Sequence, residues 1–182
     1  MAKTIVALLR GINVGGRNKL PMKELRSILS KLGHETVKTY IQSGNAVFRS
    51  DRSDLTEIGV EIGQAITQHF GFTPQVMVIG LDMLEQAVAQ NPYPEAAEYP
   101  KTLHLYFLEK TATQPNLAQL TERQKESEHF SLIGRVFYLH APEGIGRSKL
   151  AERVEKSLGV ATTARNWRSV QKILDLAREI TS

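Results

Sequence analysis

Apolar positions along the chain change their spacing several times, and each change marks a new element. Thr4-Ile5-Val6-Ala7-Leu8-Leu9 is a continuous apolar run between Lys3 and Arg10-Gly11, the pattern of a strand buried on both faces. Pro21 then suits the first helical position, and Met22, Leu25, Ile28, Leu29 and Leu32 recur at helical spacing until Gly33. Residues 37–41 read as a strand, Gln42-Ser43-Gly44-Asn45 as a tight turn, and residues 46–48 as the returning strand. Asp54 caps a helix whose apolar face holds Leu55, Ile58, Ile62, Ile66 and Phe70 and which ends at Gly71. Residues 75–79 form a fourth strand and residues 81–90 a further helix, stopped by Asn91-Pro92-Tyr93-Pro94.

The order βαββαβ-α then recurs. Lys101-Thr102-Leu103-His104-Leu105-Tyr106-Phe107 echoes residues 3–9, residues 117–125 form a helix, and residues 130–133 and 135–140 form a hairpin around Gly134. A helix over 148–158 stops at Gly159, as the earlier one stops at Gly71. Residues 160–163 make a short last strand, and residues 166–180 the extra helix. The pattern repeats about 90–98 positions later with little identity, so the match is one of element order. The expected fold is α+β, with two similar βαββαβ (ferredoxin-like) halves over 1–98 and 99–182, each followed by an extra helix. In such a unit the first and second strands run parallel with the third between them. Residues 10–20 and 40–45 should therefore be neighbours.

Composition changes this picture little. An apolar content of 41% and a charged content of 23% suit a folded chain of 182 residues. Without cysteine, neither disulfides nor thiolate chemistry is available. The apolar run near the N-terminus is too short for a signal-peptide core, and no stretch approaches the ~20 residues of a membrane span. The expectation is a cytoplasmic protein with no membrane partner. The net charge of +4 is unevenly spread. Residues 1–31 hold seven basic groups and one acidic, residues 147–178 eight and three, and residues 32–146 eight and fourteen. The two ends either meet a negative partner or balance the acidic middle.

Candidate chemistry gathers in three clusters. Gly11 and Gly16 stand at the G-x-x-x-x-G spacing of a phosphate-binding loop, after a strand. Arg17-Asn18 occupies the positions where such a loop needs lysine and a hydroxyl for magnesium, which excludes a Walker-type NTPase. What survives is an anion site built from the backbone of Gly11, Gly15 and Gly16 with Arg10, Asn13, Arg17 and Lys19, near a helix N-terminus. The alternative is a surface turn whose glycines permit positive φ. The second cluster is the hairpin Tyr40, Gln42, Ser43, Asn45. Gly44 and Asn45 suit its turn, and Tyr40 could stack on a ring. Ser43 lacks the G-x-S-x-G context of a nucleophile. The third cluster is Arg165, Asn166, Trp167 and Lys172, where Asn166 suits a helix N-cap and Trp167 a staple or core position. Ser169-Val170-Gln171-Lys172 matches S-x-x-K without its companion motifs. The five histidines show no metal-ligand spacing, and His104 reads as a strand residue facing away from Leu103 and Leu105. Asp51 and Asp54 read as turn and cap. No metal or cofactor is called for, and no general base or nucleophile identifies an enzyme.

The segment L-L-R-G-I-N-V-G-G, then Met22 and Leu25, then T-Y-I-Q-S-G-N, closely resembles the start of a bacterial family known as domain-of-unknown-function family 1697. T-x-R-N-W-x-S-V-x-K over 163–172 resembles its C-terminal motif, with Ser169 where threonine is common. The resemblance implies a small cytoplasmic α+β protein and brings no activity, substrate or cofactor. It marks Arg10, Gly11, Asn13, Gly15, Gly16, Tyr40, Gln42, Ser43, Gly44, Asn45, Arg165, Asn166, Trp167 and Lys172 as signature positions. The leading expectation is binding of a phosphorylated small molecule or nucleotide by all three clusters. The alternatives are a nucleic-acid-binding module, for which the RNP-type aromatics are missing, and a protein-interaction or structural protein without a ligand.

Overall fold

A computed structural model describes residues 1–181. The chain is mixed α+β, with two four-stranded antiparallel sheets of matching strand order, β2-β3-β1-β4 and β6-β7-β5-β8. Contacts divide it into two compact units. Met1–Gln86 with Gln171–Ser182 form one, and Ala87–Val170 the other. The repeat along the chain and the units in space are thus divided at different places.

In the first unit, β1 (Lys3–Arg10) lies between β3 (Asn45–Ser50) and β4 (Gln75–Gly80), and β2 (Glu35–Tyr40) forms the outer edge. Both β1 and β2 run antiparallel to β3, so they are parallel to each other with β3 between them, as the sequence leads one to expect. Residues 4–9 of β1 are all buried, which explains a run without polar alternation. Ile5, Ala7 and Leu9 face one core with α1 (Met22–Lys31) and α2 (Leu55–Phe70), whose Leu25, Leu29, Ile58, Ile62 and Ile66 complete it. Pro21 sits one position earlier than expected, as the extended residue before α1. Asp54 accepts from the Glu57 amide as the N-cap of α2, and Gly71 ends that helix at φ 74°. The β2–β3 turn spans 41–44 rather than 42–45, because Asn45 already pairs with Tyr40 in the ladder. The helix α3 (Leu81–Ala89) follows β4.

In the second unit, β5 (Leu103–Leu108) lies between β7 (Val136–His140) and β8 (Thr162–Asn166), with β6 (His129–Ile133) at the edge. The helix α4 (Leu117–Arg123) packs over one face of this sheet. Two expectations need correction here. The helix read over 148–158 is a 3₁₀ turn at Ala151–Arg153 followed by a short α5 (Val154–Leu158). Its spacing is sound, since Leu150, Val154 and Leu158 are all buried, but the first turn is tightened to 3₁₀ bonding, with Arg153 N–H donating to the Leu150 carbonyl at 2.9 Å. The last strand begins at Thr162, not 160, because pairing with β5 runs through Thr162, Thr163 and Arg165, whereas Val160 packs beside the core. Polar side chains concealed that strand. The chain closes with α6 (Trp167–Glu179). Its C-terminal part belongs to the first unit, where Glu179 pairs with Lys38 at 2.7 Å and Arg178 with Glu85 at 3.1 Å.

Tyr138 is the largest fully buried side chain, and its hydroxyl donates to the Ala87 carbonyl at 2.7 Å. Burial pushes its phenol up to about 12. Tyr138→Phe should leave that carbonyl without its donor and lower unfolding free energy by about 1–2 kcal/mol, measured by urea denaturation.

Candidate functional site

The loop after β1 is a small braced hairpin rather than a free glycine stretch. Arg17 N–H donates to the Val14 carbonyl at 3.0 Å, and Val14 and Arg17 form an isolated bridge. The two residues between them, Gly15 and Gly16, have φ of 57° and 73°, the backbone a two-residue turn of this hand demands. Asn13 locks this hairpin to its surroundings. Its own φ is 52°, an αL value that asparagine tolerates. Its Nδ2 donates to the Leu20 carbonyl at 2.9 Å and the Gln42 carbonyl at 2.8 Å, while Oδ1 accepts from Leu20 N–H at 2.8 Å. Asn18 donates to the Gly11 carbonyl at 2.8 Å. Buried Ile12 and Leu20 anchor the two arms in the core.

The bond from Asn13 to Gln42 joins the loop to the β2–β3 turn, and Leu9 N–H donates to the Gly44 carbonyl at 2.8 Å. Residues 10–20 and 40–45 are therefore neighbours, as the strand order requires. Asn45 is buried, and its Nδ2 donates to the Tyr40 carbonyl at 2.9 Å and to Ser43 Oγ at 3.0 Å. Ser43 Oγ is thus engaged in the turn. Ile41 sits in the turn at φ 47° with its side chain half exposed, an unusual conformation for a β-branched residue.

Charge at this end is basic. Arg17 and Lys19 are exposed, and their charged side-chain groups have no hydrogen-bond or ion-pair partner among the described residues. Arg10 ends β1 and donates to Gln75 Oε1 at 3.4 Å. Gly15 and Gly16 are also exposed, and their amides donate to nothing among the described residues. Val14, two-thirds exposed, and Ile41 add apolar surface. Tyr40 is half-buried and Gln42 exposed.

The third cluster is placed differently. Arg165 lies on β8, only 9% exposed, and donates to the Ala164 carbonyl at 2.8 Å. Burial lowers its guanidinium to about 10. Asn166 Oδ1 accepts from Ser169 N–H at 2.9 Å as the N-cap of α6, and Trp167 is buried. Lys172 is exposed on α6. The structural duties read from the sequence for Asn166 and Trp167 are met.

His34 is buried, and His104 and His140 are half-buried, whereas His69 and His129 are exposed. His34, His104 and His140 are all lowered, chiefly by burial, with His104 brought to about 4. Among the described residues no group of three or more His, Cys, Asp or Glu could hold a metal ion.

Two antiparallel sheets of matching strand order, with helices between their strands, define an α+β protein consistent with two similar halves. A family model described as "Protein of unknown function (DUF1697)" matches residues 2–138, and the chain belongs to that family. The match contains the loop and hairpin motifs and ends before residues 163–172. A solved structure titled as the conserved bacterial protein SP0830 from Streptococcus pneumoniae is similar, with a TM-score of 0.68 and 24% identity over 97% of this chain and 99% of that one. At that identity the likeness concerns the fold. No curated protein matches the chain. No helix among the described residues is long and apolar enough to cross a membrane.

Two stability predictions follow from this geometry. A Cβ on Gly44 would stand 2.7 Å from both Ile12 Cδ1 and Leu9 Cβ, at φ 89°. Gly71, at φ 74°, has open space around it. Gly44→Ala should therefore cost about 2 kcal/mol or more and Gly71→Ala roughly 1, compared by chemical denaturation. For His104 the folded value lies below the ordinary 6.5, so its stability contribution is complete above pH 6.5 and is lost as pH falls through about 4. Melting temperature should fall over that window, and His104→Leu should flatten the fall, by up to roughly 3 kcal/mol.

Proposed function

We propose that the loop and hairpin at the C-terminal end of β1 bind a phosphorylated small molecule, with a nucleotide as the preferred class. The observation that carries this is the Gly15-Gly16 tip. Two exposed glycines whose amides have no partner among the described residues stand on a hairpin that also carries Arg17 and Lys19. Backbone donors of this kind, with basic side chains beside them, suit a phosphate oxygen. Bracing by Asn13 lowers the ordering cost of binding, which favours affinity. Val14, Ile41 and Tyr40 offer apolar contact to the remainder of the ligand. The strained Ile41 backbone fits a segment held for binding rather than for stability. The reading rests on loop and hairpin, since Asn166 and Trp167 have structural duties of their own.

The strand order supports reading each half as a ferredoxin-like unit, a scaffold that RNA-recognition domains also use. Those domains stack bases on aromatic residues of the central strands. Here the corresponding β1 face presents buried Thr4, Val6 and Leu8, which favours a small ligand over RNA.

Thermal-shift measurements with nucleotides, sugar phosphates and generic RNA should test this, using wild type and Arg17→Ala/Lys19→Ala. At about 100 times its Kd, a ligand should stabilise wild type by about 2.7 kcal/mol and the double variant by much less. Stabilisation by RNA alone, with steep salt dependence, would move the assignment to nucleic acid. Equal stabilisation of both proteins, or of neither, would refute the site.

A further inference from the structure

The other end of β1 carries a site that no motif marks. Where β1 begins and β3 and β4 end, there is a cavity of about 530 Å³, within the size range of small-molecule sites. Ile5, Leu55 and Leu81 supply its apolar wall, and Lys3, Arg49 and Asp82 its charged rim. β1 is eight residues long, so this rim and the glycine loop are separated by about 23 Å.

Arg49 and Arg52 both line the cavity, yet their electrostatic situations differ. Arg52 is neutralised locally. Its Nη2 lies 2.9 Å from Glu57 Oε2 and donates to Glu61 Oε1 at 3.0 Å, and its Nη1 also donates to Glu61. Arg49 faces Thr4 across one ladder and Glu35 across the other. It is half-buried, and its guanidinium has no hydrogen-bond or ion-pair partner among the described residues. A guanidinium drawn partly out of water with no carboxylate bonded to its fork is poised to take a carboxylate or phosphate there. The Lys3 ammonium likewise has no hydrogen-bond or ion-pair partner among the described residues.

A second observation comes from the recess beside it. This smaller space, about 100 Å³, shares Ala2, Arg49 and Arg52 with the main cavity. His34 lines it, only 4% exposed and stacked on Phe48 with ring centroids 4.4 Å apart. Its Nε2 is buried with no hydrogen-bond partner, a costly state that a ligand atom or water would relieve. Burial, and then Arg52, lower the His34 pKa. The charged form of the ring is thus disfavoured, and Nε2 is available for one hydrogen bond. Glu35 and Asp51 also border the recess, and Asp82 the main cavity. These carboxylates disfavour a highly charged ligand.

We propose that this rim binds a small organic oxyanion of low charge, anchored by Arg49, with His34 Nε2 as the hydrogen-bond partner at its inner end. The apolar wall takes the carbon skeleton. The site is independent of the glycine loop and stands if that reading fails.

The test is an amide NMR titration of ¹⁵N-labelled protein at pH 7 and constant ionic strength, with inorganic phosphate in one arm and succinate in the other. Saturable shifts are expected at Arg49, Ser53 and Leu81 with at least one probe. The responding probe distinguishes a phosphate from a carboxylate ligand. Arg49→Gln should weaken binding ~10-fold or more, while Arg17→Ala leaves it unchanged. His34→Phe should weaken it as well. If Arg49→Gln does not fold, Arg49→Lys, which keeps the charge but loses the fork, should show the weakening instead. Absence of saturation with both probes, or undiminished affinity in the folded Arg49 variant, would overturn the proposal.

Discussion

A strand buried on both faces and hydrogen-bonded along both edges can meet solvent only at its two ends. β1 is such a strand, with β3 on one side, β4 on the other and residues 4–9 buried. Its length and its place inside the sheet determine where polar chemistry can gather in the first unit. At one end the chain leaves through the glycine hairpin. At the other, the ends of β3 and β4 converge on its first residues. Between those ends, residues 5–9 of the strand are all aliphatic.

At the C-terminal end, a single amide side chain organises the exit. Asn13 uses both Nδ2 donors and its Oδ1 acceptor on backbone groups, two from Leu20 and one from Gln42. No aliphatic residue can replace those bonds, and aspartate would lose the donors. Glycines at 15 and 16 turn the tip, and Gly44 leaves room for Ile12 and Leu9 beneath the neighbouring turn. The residues that make this segment look like a phosphate loop are therefore divided between two duties. Asn13, Gly44 and Asn45 hold the shape, whereas Arg17, Lys19 and the tip glycines are exposed. The second unit uses its motif for structure in the same way, with Asn166 as a cap and Trp167 as a packed core residue.

The sequence by itself determined the element order, the likeness of the two halves and the caps. These follow from local rules: a period of 3.6 or 2, an N-cap at Asp54, and a left-handed glycine at Gly71 or Gly159. It also placed loop beside hairpin, because the strand order of a βαββαβ unit leaves those two connections at one edge. It misplaced β8 and overextended α5, because ladder pairing can run through polar residues and helical spacing can persist where helical bonding fails. Only the tertiary structure decided how Asn13 is used, that Arg165 is buried, and that Arg49 and His34 border one recess. Those facts depend on hydrogen-bond geometry, desolvation and the convergence of several strands, and no local pattern in the chain records them.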